Sequence, residues 1–494
     1  MAMKLGCCIA LFFLLASVAV IIAISVIQGC NWTHETPGLK YGIVVDSGSS
    51  RSTVYLYQWP AEKENNTGVV TENMHCQVAG PGISDMNVDP ARDVASWKAI
   101  RACMANVTKA IPPEQHSATP VFLGATAGMR LLHAQNEEAS NTILQNLRDY
   151  LKSLPFSFHN ASIISGQEEG LYGWITVNYL MGNFLDKNLW NAWARPHGAE
   201  TRGSMDLGGA STQIAFAVPE DLTGQDYLPV TLYGYDYNIY THSFLCYGKN
   251  EAEKRVQAAL VKSSKDPTTV VHPCLPRGFN HTMPASSIFN SECTEAPEGY
   301  DPALSITMVG AADRDACGDV VRSLFNLSCM GNCSFNGVEQ PPLSGGFMAY
   351  AGFYYSAAAL YLNGTSTLDT FNSTMQDFCA MDWPTLKKER TWIRDKFLKS
   401  YCFSITYVYT LLVDGYKFNE ESWKTIQFQK EVKNTSIAWS LGYMLTLSNM
   451  IPAEAKLVRL PLNTPLFGGL LFLFSALTIV SVMFLLIKLR NKKR

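Results

Sequence analysis

No G-x-x-x-x-G-K-[ST] stretch occurs in this chain, so a P-loop phosphate cradle is disfavoured. Basic arrays are missing too. With 39 Lys and Arg against 42 Asp and Glu, the formal charge is −3, which gives no hint of nucleic-acid binding. The cysteines do not fall in CxxC…CxxC order, which argues against a zinc site. Heptads and low-complexity tracts are absent. Charged residues make up only 16%, and the deficit lies at two apolar ends.

Ile9–Gln28 is an apolar run of about the length that a membrane-spanning helix needs. It lacks a clear small-residue cleavage site and is long for a signal-peptide core. Leu466–Ile487 is a second such run. Lys488, Arg490, Lys492, Lys493 and Arg494 follow it, a basic cluster that favours a cytoplasmic C-terminus. Two spans place the N-terminus on the same side, with Lys4 in support. The expected organisation is a cytoplasmic tail (1–8), a span (9–28), an extracellular region (29–465), a span (466–487) and a cytoplasmic tail (488–494) of a cell-membrane protein. Membrane lipid is then a partner. Two short tethers also invite span-to-span association of copies; Gly468 and Gly469 permit close contact without forming a GxxxG pattern.

The cysteines agree with that topology. Cys7 and Cys8 sit at the cytoplasmic edge of the first span, as candidates for palmitoylation. Cys30 lies just outside it and is the odd one. Cys76, Cys103, Cys246, Cys274, Cys293, Cys317, Cys329, Cys333, Cys379 and Cys402 remain, an even set that suggests five disulfides of open pairing. Asn-x-Ser/Thr sequons occur at Asn31, Asn65, Asn106, Asn160, Asn280, Asn326, Asn332, Asn363, Asn372 and Asn434, all between the two spans. They indicate a glycosylated luminal or extracellular region.

A chain of 494 residues is too long for one ordinary core, so two lobes are expected. Gly42–Leu56, GIVVDSGSSRSTVYL, reads as an apolar strand, a Ser/Gly turn and a second β-branched and aromatic strand. Successive N–H groups in such a turn make an anion-binding concavity. Asp46 at the strand end is placed to hold a divalent cation. Alone, this is also ordinary turn chemistry. Residues 203–216, GSMDLGGASTQIAF, repeat the pattern with Asp206, Gly208, Gly209 and Ser211. Two Asp-x-Gly hairpins in separate halves suggest a duplicated fold, each half supplying one phosphate-gripping loop to a shared cleft.

Other stretches fall into place around these hairpins. Residues 76–89 have the signature of a loop. Pro90–Ile111 has helical spacing, with Trp97, Ile100, Met104 and Val107 on one face. Pro120–Leu132 is a strand, a small-residue turn at Gly124–Gly128 and a helix start, where N–H groups can face a ligand. Glu138–Ser153 is a surface helix. Ser162–Asn178 runs a strand into Glu168 and Glu169. Such a pair is either a solvated turn or includes a general base beside the cleft. Residues 225–340 read as a disulfide-stapled region of irregular loops. Gly345–Leu362 is a strand feeding an aromatic helix. Trp383–Cys402 contains a charged helix, Tyr407–Gly415 an apolar one, and Ser436–Asn449 the last, with Trp439 near its start.

Six stretches together resemble the ecto-nucleoside triphosphate diphosphohydrolase (apyrase) family: DSGSSRST (46–53), GATAGMR (124–130), SGQEEGLYGW (165–174), DLGGASTQ (206–213), AGFYY (351–355) and AWSLGYML (438–445). They follow the family's order and span almost the whole region between the apolar ends. The flanking spans resemble its cell-surface branch. Residues 57–70, 178–190 and 434–445 are most similar to the type-3 members. The resemblance implies an α/β fold of two RNase-H-like lobes (actin/sugar-kinase-like) about a central cleft, lobe I over 36–164 plus 429–462 and lobe II over 165–428. It implies Ca²⁺- or Mg²⁺-dependent hydrolysis of nucleoside tri- and diphosphates, ATP to ADP to AMP, outside the cell, where it would control nucleotide signalling.

Residue by residue, Glu169 matches the base that deprotonates the attacking water. Ser49 and Ser211 match residues that position this water, with Gln213 beside them. Asp46 and Asp206 match carboxylates that hold the cation through its water shell, aided by Thr126 and Trp439. Gly48, Ser50, Arg51, Ala127, Gly208 and Gly209 match the phosphate grip. Tyr355 and Phe397 fall where family members sandwich the base. Ser47 replaces a more usual Ala, and Met205 stands where Leu is common; neither disturbs a catalytic role. Ser49 and Ser211 have no neighbouring histidine to activate them, which favours direct attack by water over a phosphoenzyme. A phosphotransferase on the same fold is the first rival, but no acceptor pocket is marked. A non-catalytic nucleotide receptor is the second, and it is disfavoured because Asp46, Glu169 and Asp206 are all present.

Overall fold

The computed structural model describes residues 2–30, 33–35, 38–63, 67–187, 193–196, 200–329, 331–451, 457–459 and 461–493. The sequons Asn31 and Asn65 and the side chain of Cys30 lie outside the described set. The chain divides into two compact units, one of Met1–Leu39, Pro60–Glu62 and Ala453–Arg494, the other of Lys40–Trp59 and Lys63–Pro452.

The first unit holds the helices Ala2–Cys30 and Thr464–Lys493. Their segments Leu5–Gly29 and Thr464–Asn491 are long and apolar enough to cross a membrane. Both helices extend past the apolar runs at 9–28 and 466–487, because helical hydrogen bonding does not stop where hydrophobicity does. Thr33–Glu35 pairs antiparallel with Leu457–Arg459. The Gln28 amide donates to the Leu462 carbonyl and accepts from its N–H, each at 3.1 Å.

The second unit is built on two sheets. The first contains β1 (Leu39–Ser47), β2 (Ser52–Pro60), β3 (Thr71–Val78), β4 (Pro120–Ala125) and β5 (Ser157–Ile163), in the order β3-β2-β1-β4-β5. The second contains β6 (Gly203–Leu207), β7 (Ser211–Val218), β8 (Tyr227–Leu232), β9 (Tyr235–Leu245), β10 (Phe347–Ala351) and β11 (Ile426–Phe428), in the order β8-β9-β7-β6-β10-β11. Apart from the added edge strand β8, the two orders are the same. In each sheet the first strand runs parallel to its inner neighbour, β1 to β4 and β6 to β10. The expected duplicated α/β fold is therefore present. Central strands β1 and β4 are apolar on both faces because helices cover both; Ile43, Val44, Val121 and Leu123 are all buried.

Helices α1 (Val94–Ala110), α2 (Ala127–Gln135) and α3 (Glu137–Lys152) pack on one face of the first sheet. Trp97, Ile100, Met104 and Val107 of α1 are buried, as their spacing requires. Helix α3 is less of a surface element than its charges suggest, since Ile143, Leu144, Leu147 and Leu151 form a buried stripe. A second cluster joins the sheets. It includes Val44 and Phe122 from the first, Ala215 and Met348 from the second, and Trp174, Ile175, Trp439 and Leu441 from α4 (Gly166–Met181) and a C-terminal helix at Trp439–Ser448. The lobes thus share apolar core beneath the cleft.

The ten expected cysteines pair as Cys76–Cys103, Cys246–Cys293, Cys274–Cys317, Cys329–Cys333 and Cys379–Cys402, and Cys7 and Cys8 are free. Residues 225–340 are more regular than their Tyr, Pro and Cys content suggests. They contain β8, β9, helix α5 (Lys249–Ser263) and a three-stranded sheet of Thr269–His272, Ser305–Gly310 and Asn280–Pro284. Residues 76–78 belong to β3 rather than to a loop, because β2 offers them an antiparallel partner. The single charged helix read at 383–402 is two short helices, Trp383–Glu389 and Asp395–Leu398. The apolar helix begins earlier than 407, at Tyr401, and ends in a wider turn at Leu411–Gly415. The final helix starts at Trp439 rather than Ser436, and we label it α6.

Helices α4 and α6 touch backbone to backbone. A Cβ at Gly442 would overlap the Tyr172 carbonyl oxygen. Gly442→Ala is therefore expected to destabilise the folded protein by about 1–3 kcal/mol through overpacking. A thermal midpoint equal to that of the parent protein would show that the helices do not approach this closely.

Candidate active site

The two acidic turns are built alike. After β1, Gly48 N–H donates to the Arg51 carbonyl at 3.0 Å; after β6, Gly208 N–H donates to the Ser211 carbonyl at 3.0 Å. Asp46 and Asp206 therefore sit at corresponding strand ends. The first turn is wedged between two glycines. A Cβ at Gly82 would stand 2.6 Å from the Gly48 oxygen, and one at Gly128 would stand 2.7 Å from Ser49 Cα. Side chains at either position would push the loop out of place. The turns also meet each other. A Cβ at Gly209 would lie 2.6 Å from Ser49 Oγ, so the loops face one shared gap.

Three carboxylates line that gap. Burial pushes Asp46 up to about 7, against a hydrogen bond from Trp439 that lowers it; Glu169 raises it further and Arg51 lowers it. Burial pushes Asp206 up to about 8, and the charges of Glu169 and Asp46 add to the effect. Glu169 is raised by burial, with Arg130 opposing. Trp439 Nε1 donates to Asp46 Oδ1 at 2.9 Å. Thr126 N–H and Oγ1 both reach the Ser47 carbonyl, at 3.0 and 3.4 Å. Trp439 thus bonds Asp46 itself, and Thr126 bonds the carbonyl of the next residue.

The neighbouring glutamates have different surroundings. Glu168 closes a capping box with Ser165: its Oε2 accepts from Ser165 N–H at 2.8 Å, and its own N–H donates to Ser165 Oγ at 3.1 Å. Glu169 is buried instead, and its Oε2 accepts from Arg130 Nη2 at 2.6 Å and Gln213 Nε2 at 3.1 Å. Gln213 Nε2 also donates to Ser211 Oγ at 2.7 Å and Ser243 Oγ at 2.9 Å, and Arg130 Nη2 reaches Ser211 Oγ at 3.2 Å. Glu169, Ser211 and Gln213 therefore form one network.

Arg130 and Ser243 have no part in the sequence-derived site. Arg130 closes the GATAGMR stretch, so its signal was present; it acts from α2 across the gap onto α4 and β7. Ser243 comes from β9, opposite Gln213 in register, and no motif marks it. On the phosphate side, Thr126 caps α2 without a side-chain bond to its first turn. Arg51 acts on both aspartates, while Ser50 is exposed.

Tyr355 and Phe397 are exposed, at 38% and 41%. Among the described residues no ring contact joins them. Arg394 and Lys396 stand 5.0 and 4.8 Å from the Phe397 ring centre. Tyr355 follows Ala351, which bends β10 into its helix with a φ of 51°, a sparsely populated conformation of the kind held at functional sites.

The residues fit a hard divalent cation. Burial and mutual repulsion leave Asp46 and Asp206 short of positive charge, and Arg51 compensates only in part. Among the described residues no group of three His, Cys, Asp or Glu converges on a point. Two carboxylates with a nearby threonine suit Mg²⁺ or Ca²⁺ that keeps several waters, not a closed zinc cage.

The raised carboxylates set a pH dependence. The unfolded aspartates release their protons near 3.8, whereas the folded ones hold theirs to about 7 and about 8. Between these values the folded state binds more protons, so its stability falls as pH rises. In chelator, the thermal midpoint should decline across pH 4 to 8 more steeply for the parent protein than for Asp206→Asn. Added Mg²⁺ or Ca²⁺ should remove most of the difference at pH 8. Parallel midpoint curves would rule out this coupling.

The family model described as GDA1/CD39 (nucleoside phosphatase) matches residues 33–460. The chain is 51% identical over 484 residues to human ectonucleoside triphosphate diphosphohydrolase 3, covering 97% of this chain and 91% of the relative. It is 43% identical over 423 residues to Gallus gallus ectonucleoside triphosphate diphosphohydrolase 8, covering 85% of each. In fold it is similar to a nucleoside triphosphate hydrolase from Neospora caninum, with a TM-score of 0.57, 16% identity and coverage of 84% and 93%. With the paired acidic turns closing on one gap, the chain belongs to the GDA1/CD39 nucleoside phosphatase family.

Proposed function

We infer that this protein hydrolyses nucleoside tri- and diphosphates, ATP to ADP to AMP with release of phosphate, in a reaction that depends on Ca²⁺ or Mg²⁺. The observation that carries the reading is the meeting of Asp46, Asp206 and Glu169 in one gap between equivalent turns. A bound cation supplies charge neutralisation between phosphate oxygens and the aspartates. Asp46 and Asp206 hold its water shell, aided by Thr126 and by Trp439, which donates to Asp46. Backbone and side chains around Gly48, Ser50, Arg51, Ala127, Gly208 and Gly209 take up phosphate charge, while the Gly48 and Gly208 N–H groups themselves close the two turns.

Glu169 removes a proton from the attacking water, and Ser49, Ser211 and Gln213 aim that water at the terminal phosphorus. Arg130 and Gln213 both donate to the Glu169 carboxylate and fix its direction. The hydroxyl of Ser211 faces two donors rather than a base, which favours direct in-line attack without a phosphoserine. Tyr355 and Phe397 provide ring faces for the nucleobase. No acceptor pocket is marked in the sequence, so water is favoured over a sugar or other acceptor.

We place the catalytic unit outside the cell, with two spans and both termini in the cytoplasm, and its lobes at 36–164 plus 429–462 and 165–428. Glycans on the sequons, lipid around the spans and pairing of copies through them complete this reading.

Glu169→Gln should keep nucleotide binding and lower kcat roughly 10²–10⁴-fold, the range that general-base loss produces; unchanged turnover would take Glu169 out of that role. Phosphate release from ATP and ADP by intact cells should stop in chelator, and AMP should accumulate without it. Phosphate transfer to an added sugar, or activity that survives chelation, would overturn the reading.

A further inference from the structure

Eight of the ten sequon asparagines are among the described residues, and seven of them are exposed. Asn372 alone is half-buried. It lies on the helix Leu368–Ala380 and lines a groove of about 270 Å³ bounded by that helix and by Arg314–Arg322 and Tyr401–Thr410. The groove is remote in sequence from the catalytic turns and includes none of their residues. Among the described residues the Asn372 amide makes no hydrogen bond.

The groove has the chemistry of a sugar site. Tyr409 and Met375 offer apolar faces, and Asp319, Arg322 and Asp414 offer charged and polar atoms at its edge. Arg322 Nη2 pairs with Asp414 Oδ1 at 3.2 Å, which holds both heads in place. Pyranose rings present a C–H face and a rim of hydroxyls, and they need that combination of aromatic surface and hydrogen-bonding groups. One turn along the helix from Asn372, Gln376 carries a buried Oε1 with no partner. Such an acceptor is costly unless something donates to it, and a sugar hydroxyl or N-acetyl N–H would.

We propose that the N-linked glycan on Asn372 folds back into this groove and that its first one or two sugars are held there. The proposal rests on the extracellular reading above, since only a chain in the secretory lumen receives such a glycan. Attachment at the rim makes docking intramolecular, with an effective concentration on the order of millimolar or higher, so weak contacts per sugar suffice. The volume is near the lower edge of small-ligand pockets, about 300–1,000 Å³, which suits one or two rings and not a branched antenna. Once seated, the sugar bridges three helices and covers the end of the Cys379–Cys402 link between two of them.

The full chain, produced in glycosylating cells and kept folded in mild detergent, is treated with peptide-N-glycosidase. Remaining occupancy at each sequon is read by mass spectrometry. The Asn372 glycan should survive about tenfold longer than that on exposed Asn280, and the two should be released alike after denaturation. Gln376→Ala or Asp319→Ala should move the Asn372 rate towards that of Asn280. The proposal is overturned if Asn372 is bare while other sequons are occupied, if its glycan leaves as fast as that on Asn280, or if neither variant changes its rate. A chain with no glycan at any sequon would overturn the extracellular reading itself, and this proposal with it.

Discussion

Three acidic side chains in one gap repel each other, and the protein must hold them there against that repulsion. That repulsion is the constraint around which the second unit is arranged. Asp46 and Asp206 are fixed by strand ends in two separate sheets. Their positions therefore depend on the apolar core that locks one lobe to the other, not on any attraction between the turns. The core carries this load with large, fully buried rings and aliphatics, among them Trp174, Met348 and Met444. Such close-packed interiors yield little to local strain.

Positive charge is supplied sparingly. Arg51 acts on both aspartates, and Arg130 reaches from α2 to Glu169 and Ser211. An arginine placed directly between the aspartates would satisfy them and exclude the cation. On the proposed function, leaving them undersatisfied keeps room for a divalent ion, at the cost of stability when none is bound. The arginine fork instead goes to the glutamate, where a fixed direction matters more than charge balance.

The division of labour between Glu168 and Glu169 follows from helix geometry. The third residue of α4 can reach back to its cap, and the fourth, one hundred degrees further round, cannot. One carboxylate is consumed in starting the helix, and the other is turned into the gap. The same helix start brings Gly166 and Gly170 against β9, where Ser243 and Thr241 would collide with any larger side chain.

Much of this architecture was readable in the residue order. The paired Asp-x-Gly turns announced a duplicated fold, and an even set of cysteines announced five bridges. The buried face of α1 followed from 3.6-residue spacing. These are local signals, written by turn chemistry and periodicity, and they survive without knowledge of neighbours. Residues 225–340 were misjudged because most of their strands find partners outside a local window, β9 on β7 and Thr269–His272 on Ser305–Gly310, although β8 and β9 form a plain hairpin. The contacts of Arg130 and Ser243 and the pairing of the ten thiols were settled only by tertiary structure. Nearly all depend on which atoms meet across tens of residues of chain, and a linear pattern has no means of stating a distance between points that only folding brings together.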